Sequence, residues 1–262
     1  MRRFVFCAVA ICLALPVASP AAGQGTPMEL TDLASRATES VVLLKILDHG
    51  GRVVGTGSGF FVGDGLVATN HHVIEPASRV VAVFDDGTEV PVDSILAEDE
   101  RNDLALLQIQ GGNARPLPLF PDRVSVGESI AVIGSPLGLA GTLSTGIVSA
   151  YRGEGLEGEA FPVPLIQISA PISSGSSGSP VMNFRGEVIG VAVSKYQGGE
   201  NLGFAVPTSI LLDLQRTMDP SGVPVRSLGA SASKTRTAVL GRNLLISALV
   251  FTALIVGLRR LR

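Results

Sequence analysis

Apolar residues in this chain come in short runs broken by glycine, proline, asparagine or aspartate, and the runs are too short and too β-branched to suit helices. They predict strands at Val41–Leu47, Gly59–Val62, Leu66–Thr69, Arg79–Phe84, Glu89–Leu96 and Leu104–Ile109, with Asp85-Asp86-Gly87 as a hairpin turn. A proline-rich stretch, Pro116–Pro121, separates these from a second set: Ser129–Gly134, Leu143–Tyr151, Leu165–Ser169, Pro180–Asn183, Val188–Ser194 and Leu202–Val206. Two such sets predict an all-β chain, a barrel or sandwich in each half. Helical spacing is confined to the flanks. Met28, Leu30, Leu33, Ala34 and Ala37 fit a short amphipathic helix within residues 27–40. Ile210, Leu211 and Leu214 share one face of a helix over Thr208–Met218, with Thr208 as its cap. Residues 219–241, with Pro220, Gly222, Pro224 and scattered Ser and Thr, read as a flexible linker.

The two ends depart from this pattern. Arg2 and Arg3, the apolar run Phe4–Val17 and then Ala18-Ser19-Pro20-Ala21-Ala22 have the layout of a secretory signal peptide over residues 1–22, cut near Ala21–Gly23, with an uncleaved anchor as the alternative. At the other end Leu244–Leu258 is uncharged between Arg242 and Arg259-Arg260-Leu261-Arg262. Within an expected membrane helix over 242–262 the uncharged part, residues 243–258, would span ~24 Å at ~1.5 Å per residue, and snorkelling of Arg242 and Arg259 would cover the rest of a ~30 Å core. The expectation is a single-pass protein of the cell membrane, its body on the periplasmic or extracellular side and its basic end inside. A buried core helix, an export sorting signal and a lipid-anchor signal are the alternatives.

Composition narrows the chemistry. With 46% hydrophobic and 16% charged residues the chain buries a substantial core. Its only cysteines, Cys7 and Cys12, lie in the signal segment, so the mature chain is expected to hold no disulfide. No H-E-x-x-H and no clustered ligand set is present, and neither a metal nor a cofactor is expected. Setting aside the arginines of the two ends takes the net charge from −3 to about −9, which argues against a nucleic-acid partner.

The candidate chemistry begins at Ser173-Ser174-Gly175-Ser176-Ser177-Gly178-Ser179-Pro180. A serine attacks a carbonyl only where the chain bends sharply and backbone N–H groups meet the developing oxyanion. Gly175 and Gly178 flank Ser177 and permit such a bend. The amides around Gly175, Ser176 and Ser177 are the candidate oxyanion donors, those of Gly175 and Ser177 converging on one oxygen. Such a serine needs a base, and the base an orienting acid. His71 and His72 follow the strand ending at Thr69, with adjacent strand positions facing opposite ways. Asp103 opens the strand Leu104–Ile109. His49, in Asp48-His49-Gly50-Gly51, reads as a solvated turn residue.

These blocks resemble the HtrA (Deg) type of chymotrypsin-fold serine protease, which carries T-N-x-H-V, N-D-L-A and G-N-S-G-G-P where this chain has Thr69-Asn70-His71-His72-Val73, Asn102-Asp103-Leu104-Ala105 and Gly175-Ser176-Ser177-Gly178-Ser179-Pro180. Gly55-Thr56-Gly57-Ser58-Gly59-Phe60, Gly134-Ser135-Pro136-Leu137-Gly138, Gly146-Ile147-Val148-Ser149 and Gly203-Phe204-Ala205-Val206-Pro207 match as well. The resemblance implies a protease domain over residues 27–218 built of two six-stranded antiparallel β-barrels, about 39–112 and 122–207, with the site in the cleft between them. It implies His72 as base, Asp103 as orienter and Ser177 as nucleophile of a serine endopeptidase acting on protein or peptide substrates in extracytoplasmic quality control or processing. A small or medium aliphatic residue before the cut is expected, from a pocket near Pro171 and Gly190–Ser194. Trimers through the N-terminal segment, here Met28–Ala37, are a further implication.

The chain departs from the family pattern at Ser176 and Ser179, where the family has Asn and Gly, and residues 219–241 are too few for the PDZ domain that usually follows, so none is expected there. No aspartate precedes Ser177, so regulation by loop ordering or oligomerisation is expected rather than by a new N-terminus. The rival reading is a membrane-tethered binding scaffold whose three residues never assemble.

Overall fold

The computed structural model describes residues 26–110, 114–135, 141–153, 165–194, 202–219 and 221–228. The expected signal peptide and the C-terminal apolar segment lie outside the described residues; among the described residues no helix is long and apolar enough to cross a membrane.

The strand pattern holds through most of the chain. Strands β1 (Val41–Leu47), β2 (Val53–Gly63), β3 (Leu66–Thr69), β4 (Arg79–Val83), β5 (Glu89–Pro91), β6 (Ser94–Asp99) and β7 (Leu104–Gln108) make the first half. The second holds β8 (Ser129–Gly134), β9 (Thr142–Arg152), β10 (Leu165–Ile168), β11 (Pro180–Asn183), β12 (Val188–Val193) and β13 (Gly203–Pro207). These six close into an antiparallel barrel in the order β10-β13-β12-β11-β8-β9, as expected. The first half corrects the expectation of a six-stranded barrel: with a short strand β14 (Arg226–Ser227) at one edge it is an eight-stranded sheet, β14-β6-β7-β3-β2-β1-β4-β5. The run Glu89–Leu96 splits at a corner. Val92 N–H donates to Val80 O on β4, and the next residue, Asp93, donates to Gln108 O on β7. One continuous apolar run thus serves both margins of a curled sheet.

The eighth strand, β14 (Arg226–Ser227), comes from the stretch read as a flexible linker. It pairs antiparallel with β6, Arg226 opposite Ile95, and Arg226 lies 3.3 Å from the Glu98 carboxylate while its guanidinium donates to Ile74 O. Helix α1 (Leu30–Thr38) is shorter than the spacing suggests and buries Leu33 and Ala37 within the chain. Helix α3 (Thr208–Arg216) begins at Thr208, whose hydroxyl donates to Val188 O instead of capping the helix.

Three apolar clusters explain which runs alternate and which do not. Val42, Leu44, Ile46, Phe61, Val80 and Leu107 fill the first sheet, and Ile130, Val132, Ile166, Ile168, Val181 and Ile189 fill the second barrel. A third joins the halves: Val41, Phe60, Leu104 and Leu106 meet Met182, Val188, Val191 and Phe204, with α1 and α3 covering the seam. A strand between an interior and the seam is apolar on both faces, and β1 is buried at all but Lys45. Each such residue contributes roughly 1.5–3 kcal/mol, so the seam is a structural bond between the halves. The connector crosses it: Leu117 N–H donates to Phe61 O and Phe120 N–H to Val188 O.

Candidate functional site

The site lies where this seam opens. β3 ends at Thr69, and His71 and His72 begin a single helical turn, α2 (His71–Ile74). This corrects the strand reading of the two histidines: successive helical positions diverge by about 100°, so the rings separate around a turn and not across a sheet. His71 turns to Glu98, Nε2–Oε2 3.2 Å. His72 alone reaches the other two candidates.

Asp103 is held in an unusual backbone conformation, φ 55°, the one described non-glycine residue with positive φ. Asn70 sustains it by donating from Nδ2 to Asp103 O at 2.9 Å. The carboxylate then bonds His72 twice. Oδ1 accepts the backbone N–H at 2.9 Å and Oδ2 accepts Nδ1–H at 2.7 Å. That second bond fixes the tautomer, leaving Nε2 as an acceptor. Ser177 Oγ lies 3.0 Å from Nε2. Ser177 is 3% exposed, the ring of His72 27%, and the Asp103 carboxylate 18%; the hydroxyl is sheltered, while the ring reaches solvent.

Around Ser177 the chain makes a tight turn. Ser176 N–H donates to Ser173 O at 2.9 Å, with Gly175 at φ 92° in the third position, as a type II turn requires. Of the three amides expected as oxyanion donors, that of Ser176 is therefore engaged within the loop. Among the described residues, the N–H groups of Gly175 and Ser177 have no protein acceptor. Gly178 follows at φ 85°, and a Cβ there would sit 2.0 Å from Ser58 O. The loop can approach the first sheet only as glycine.

Two contacts escape sequence reading. Ser194, just beyond β12, donates its N–H to Ser177 Oγ at 3.1 Å, and the two hydroxyl oxygens are 2.6 Å apart. When Ser177 donates to His72, Ser194 supplies the proton of that short bond. Nothing in its local sequence marks it. Ser58, inside the quoted Gly55–Phe60 block, bonds the nucleophile loop directly.

Beside the loop a cleft of about 180 Å³ is lined by Val132, Gly134, Thr142, Ser144, Pro171, Ile172, Ser173 and Ser176, with no charged side chain. A larger cavity of about 440 Å³, among Arg123, Tyr151, Ile166 and Ile210, involves none of the three candidates. Among the described residues no group of His, Cys, Asp and Glu could hold a metal ion.

Comparison with known proteins gives the arrangement its context. The probable periplasmic serine endoprotease DegP-like of Pseudomonas fulva is 35% identical over 171 residues, 63% of this chain and 35% of its own. That of Brucella suis is 39% identical over 165 residues, covering 60% and 32%. The chain thus spans about a third of the length of the curated relatives it matches. Among solved structures, the serine endoprotease from Yersinia pestis superposes with a TM-score of 0.62 at 27% identity, covering 73% of this chain and 66% of that one. The HtrA-type protease AlgW with a tripeptide gives 0.65 at 28%, covering 72% and 63%. Residues 57–191 match the family model of the trypsin-like peptidase domain, a span that contains His72, Asp103 and Ser177, and the chain belongs to that family.

Proposed function

We propose that this chain is a serine endopeptidase that cleaves peptide bonds through an acyl-enzyme. The observation that carries the reading is the continuous line from Asp103 Oδ2 to His72 Nδ1, 2.7 Å, and from His72 Nε2 to Ser177 Oγ, 3.0 Å. Ser177 attacks the carbonyl carbon as His72 takes its proton, and the imidazolium is stabilised by the Asp103 carboxylate. His72 then donates that proton to the leaving amine, and water repeats the sequence to release the acid. The oxyanion is received by the N–H groups of Gly175 and Ser177, which have no acceptor among the described residues.

The substrates are proteins or peptides, and an aliphatic residue of small or medium size precedes the cut; the uncharged surroundings of Pro171 support this. Export to the periplasm is supported by the signal-like residues 1–22 and by the periplasmic naming of the relatives. Tethering by residues 242–262 rests on their sequence alone. Self-association through Met28–Ala37 would use the outward side of α1, since Leu33 and Ala37 are buried at home.

Ser177→Ala tests the reading. Turnover of an unfolded protein substrate and labelling by a fluorophosphonate probe are expected to fall by several orders of magnitude, toward ~10⁶, with the melting temperature little changed. A wild-type chain that neither cleaves nor labels, or a variant as active as wild type, removes the enzyme and leaves the scaffold.

A further inference from the structure

Ser58 lies on β2, in the other half of the molecule from Ser177, and is wholly buried. Each of its polar groups is engaged across the seam or beside it. Its N–H donates to Ser177 O at 2.8 Å. Its hydroxyl donates to Gly175 O at 2.8 Å and accepts the N–H of Ser135, at the end of β8, at 2.9 Å. Its carbonyl accepts the Thr69 hydroxyl at 2.7 Å. The direction of the hydroxyl bond is fixed, because Ser135 N–H is only a donor and Gly175 O only an acceptor.

The two carbonyls that Ser58 holds belong to Gly175 and Ser177, the same two residues whose N–H groups have no acceptor among the described residues. Pinning a residue's carbonyl fixes one of the two peptide planes that meet at its Cα, so its own N–H, in the other plane, can turn only through a change in φ and ψ at that residue. Gly175 is in the left-handed region, where glycine has the widest choice of conformations, and Ser176 is held only from within the loop: its N–H donates to Ser173 O, its hydroxyl accepts Ser173 N–H and its carbonyl accepts Ser179 N–H. Without the Ser58 hydroxyl, the Gly175–Ser176 peptide would lose its only bond at the carbonyl end and Ser135 N–H would be left buried without an acceptor.

We propose that Ser58 is a positioning residue for the oxyanion donors: from the first sheet it clamps the carbonyls of Gly175 and Ser177, so that their N–H groups stay turned toward the reacting carbonyl. Docking of the two halves thereby assembles the electrophilic side of the site as well as bringing His72 to Ser177. This rests on the protease reading above. Simple crowding is a different account of a small residue here, and alanine would satisfy it.

The test compares Ser58→Ala, Ser58→Thr and a control, Ser40→Ala, in the full-length chain. Ser40 is an equally buried serine of the first half whose hydroxyl donates to Arg115 O at 2.6 Å, away from the loop. Inactivation by a fluorophosphonate gives the limiting rate and the half-saturating concentration separately, and thermal melting gives stability. Loss of a direct oxyanion donor lowers rate by ~10²–10³. A residue acting one bond further away is expected to lower the limiting rate roughly 10–100-fold, with half-saturation unchanged. Ser58→Thr, which keeps the hydroxyl, recovers most of the rate, and Ser40→Ala loses comparable melting temperature with no loss of rate. If Ser58→Ala reacts like wild type, or no worse than Ser40→Ala, the clamp is overturned while the protease stands. If wild type itself fails to label, the protease reading falls and the clamp with it.

Discussion

Asp103→Asn removes one proton acceptor while leaving the backbone almost undisturbed, and it tests the proposed mechanism at its most specific point. Asparagine tolerates the left-handed region about as well as aspartate, so the φ of 55° and the bond from Asn70 Nδ2 to the residue 103 carbonyl should survive. One carboxylate oxygen, Oδ1, accepts His72 N–H at 2.9 Å, and the amide oxygen of Asn can keep that bond. The other, 2.7 Å from Nδ1, becomes an NH₂ group. It can only donate there, so Nδ1 must accept and the ring proton moves to Nε2, which then faces Ser177 with a proton instead of a lone pair. The base is in place with the wrong tautomer. Such a change costs ~10⁴ in kcat, or about 5.4 kcal/mol of barrier at ~1.36 kcal/mol per decade. Initial rates on an unfolded protein substrate, fluorophosphonate labelling and thermal melting measure it together. The expected outcome is a loss near that size in rate, with melting within a few degrees of wild type. A variant within tenfold of wild type would show that Asp103 does not set the tautomer, and the reasoning built on the 2.7 Å bond would be refuted.

Gly178→Ala should be costly in stability: the φ of 85° carries about 1–2 kcal/mol for an L-residue, and the new Cβ would lie 2.0 Å from Ser58 O and 2.4 Å from Thr69 Oγ1. With overpacking of similar size, a loss of about 3 kcal/mol is expected, roughly 10 °C in melting temperature; an unchanged melt would mean that the seam opens freely. At the β1–β2 turn, Asp48 accepts the Arg52 backbone N–H first of all, then the Arg52 side chain, and its carboxyl is held below the usual aspartate range. Its contribution is therefore present at neutral pH and is lost as pH falls through the lowered folded-state value. An NMR titration should show most of the depression persisting in Arg52→Ala, which keeps the backbone bond; full return to the ordinary range would assign the effect to the guanidinium.

What was legible in the sequence divides along a physical line. β1, β3, β8 and β11 match the expected limits to the residue because the apolar pattern of each is set locally. The split of Glu89–Leu96 was not legible, since Val92 and Asp93 turn the corner by bonding two different strands, neither adjacent in sequence to the other. β14 is two residues long and exists because β6 offers an unpaired edge. α2 is shorter than two helical turns and has no period to detect. The same line runs through the site. The proposed nucleophile, base and acid could be picked out in the sequence because such roles are fixed by proton chemistry, which few side chains perform. The oxyanion donors are backbone groups, and what orients them is a hydroxyl 117 positions away. A G-S-G stretch can mark that hydroxyl as unusual but cannot say which carbonyl it holds. The part of catalysis that depends on direction rather than identity is therefore carried by contacts between the halves. Sequence changes along β2, far from the nucleophile, should then tune the limiting rate without altering the reacting groups.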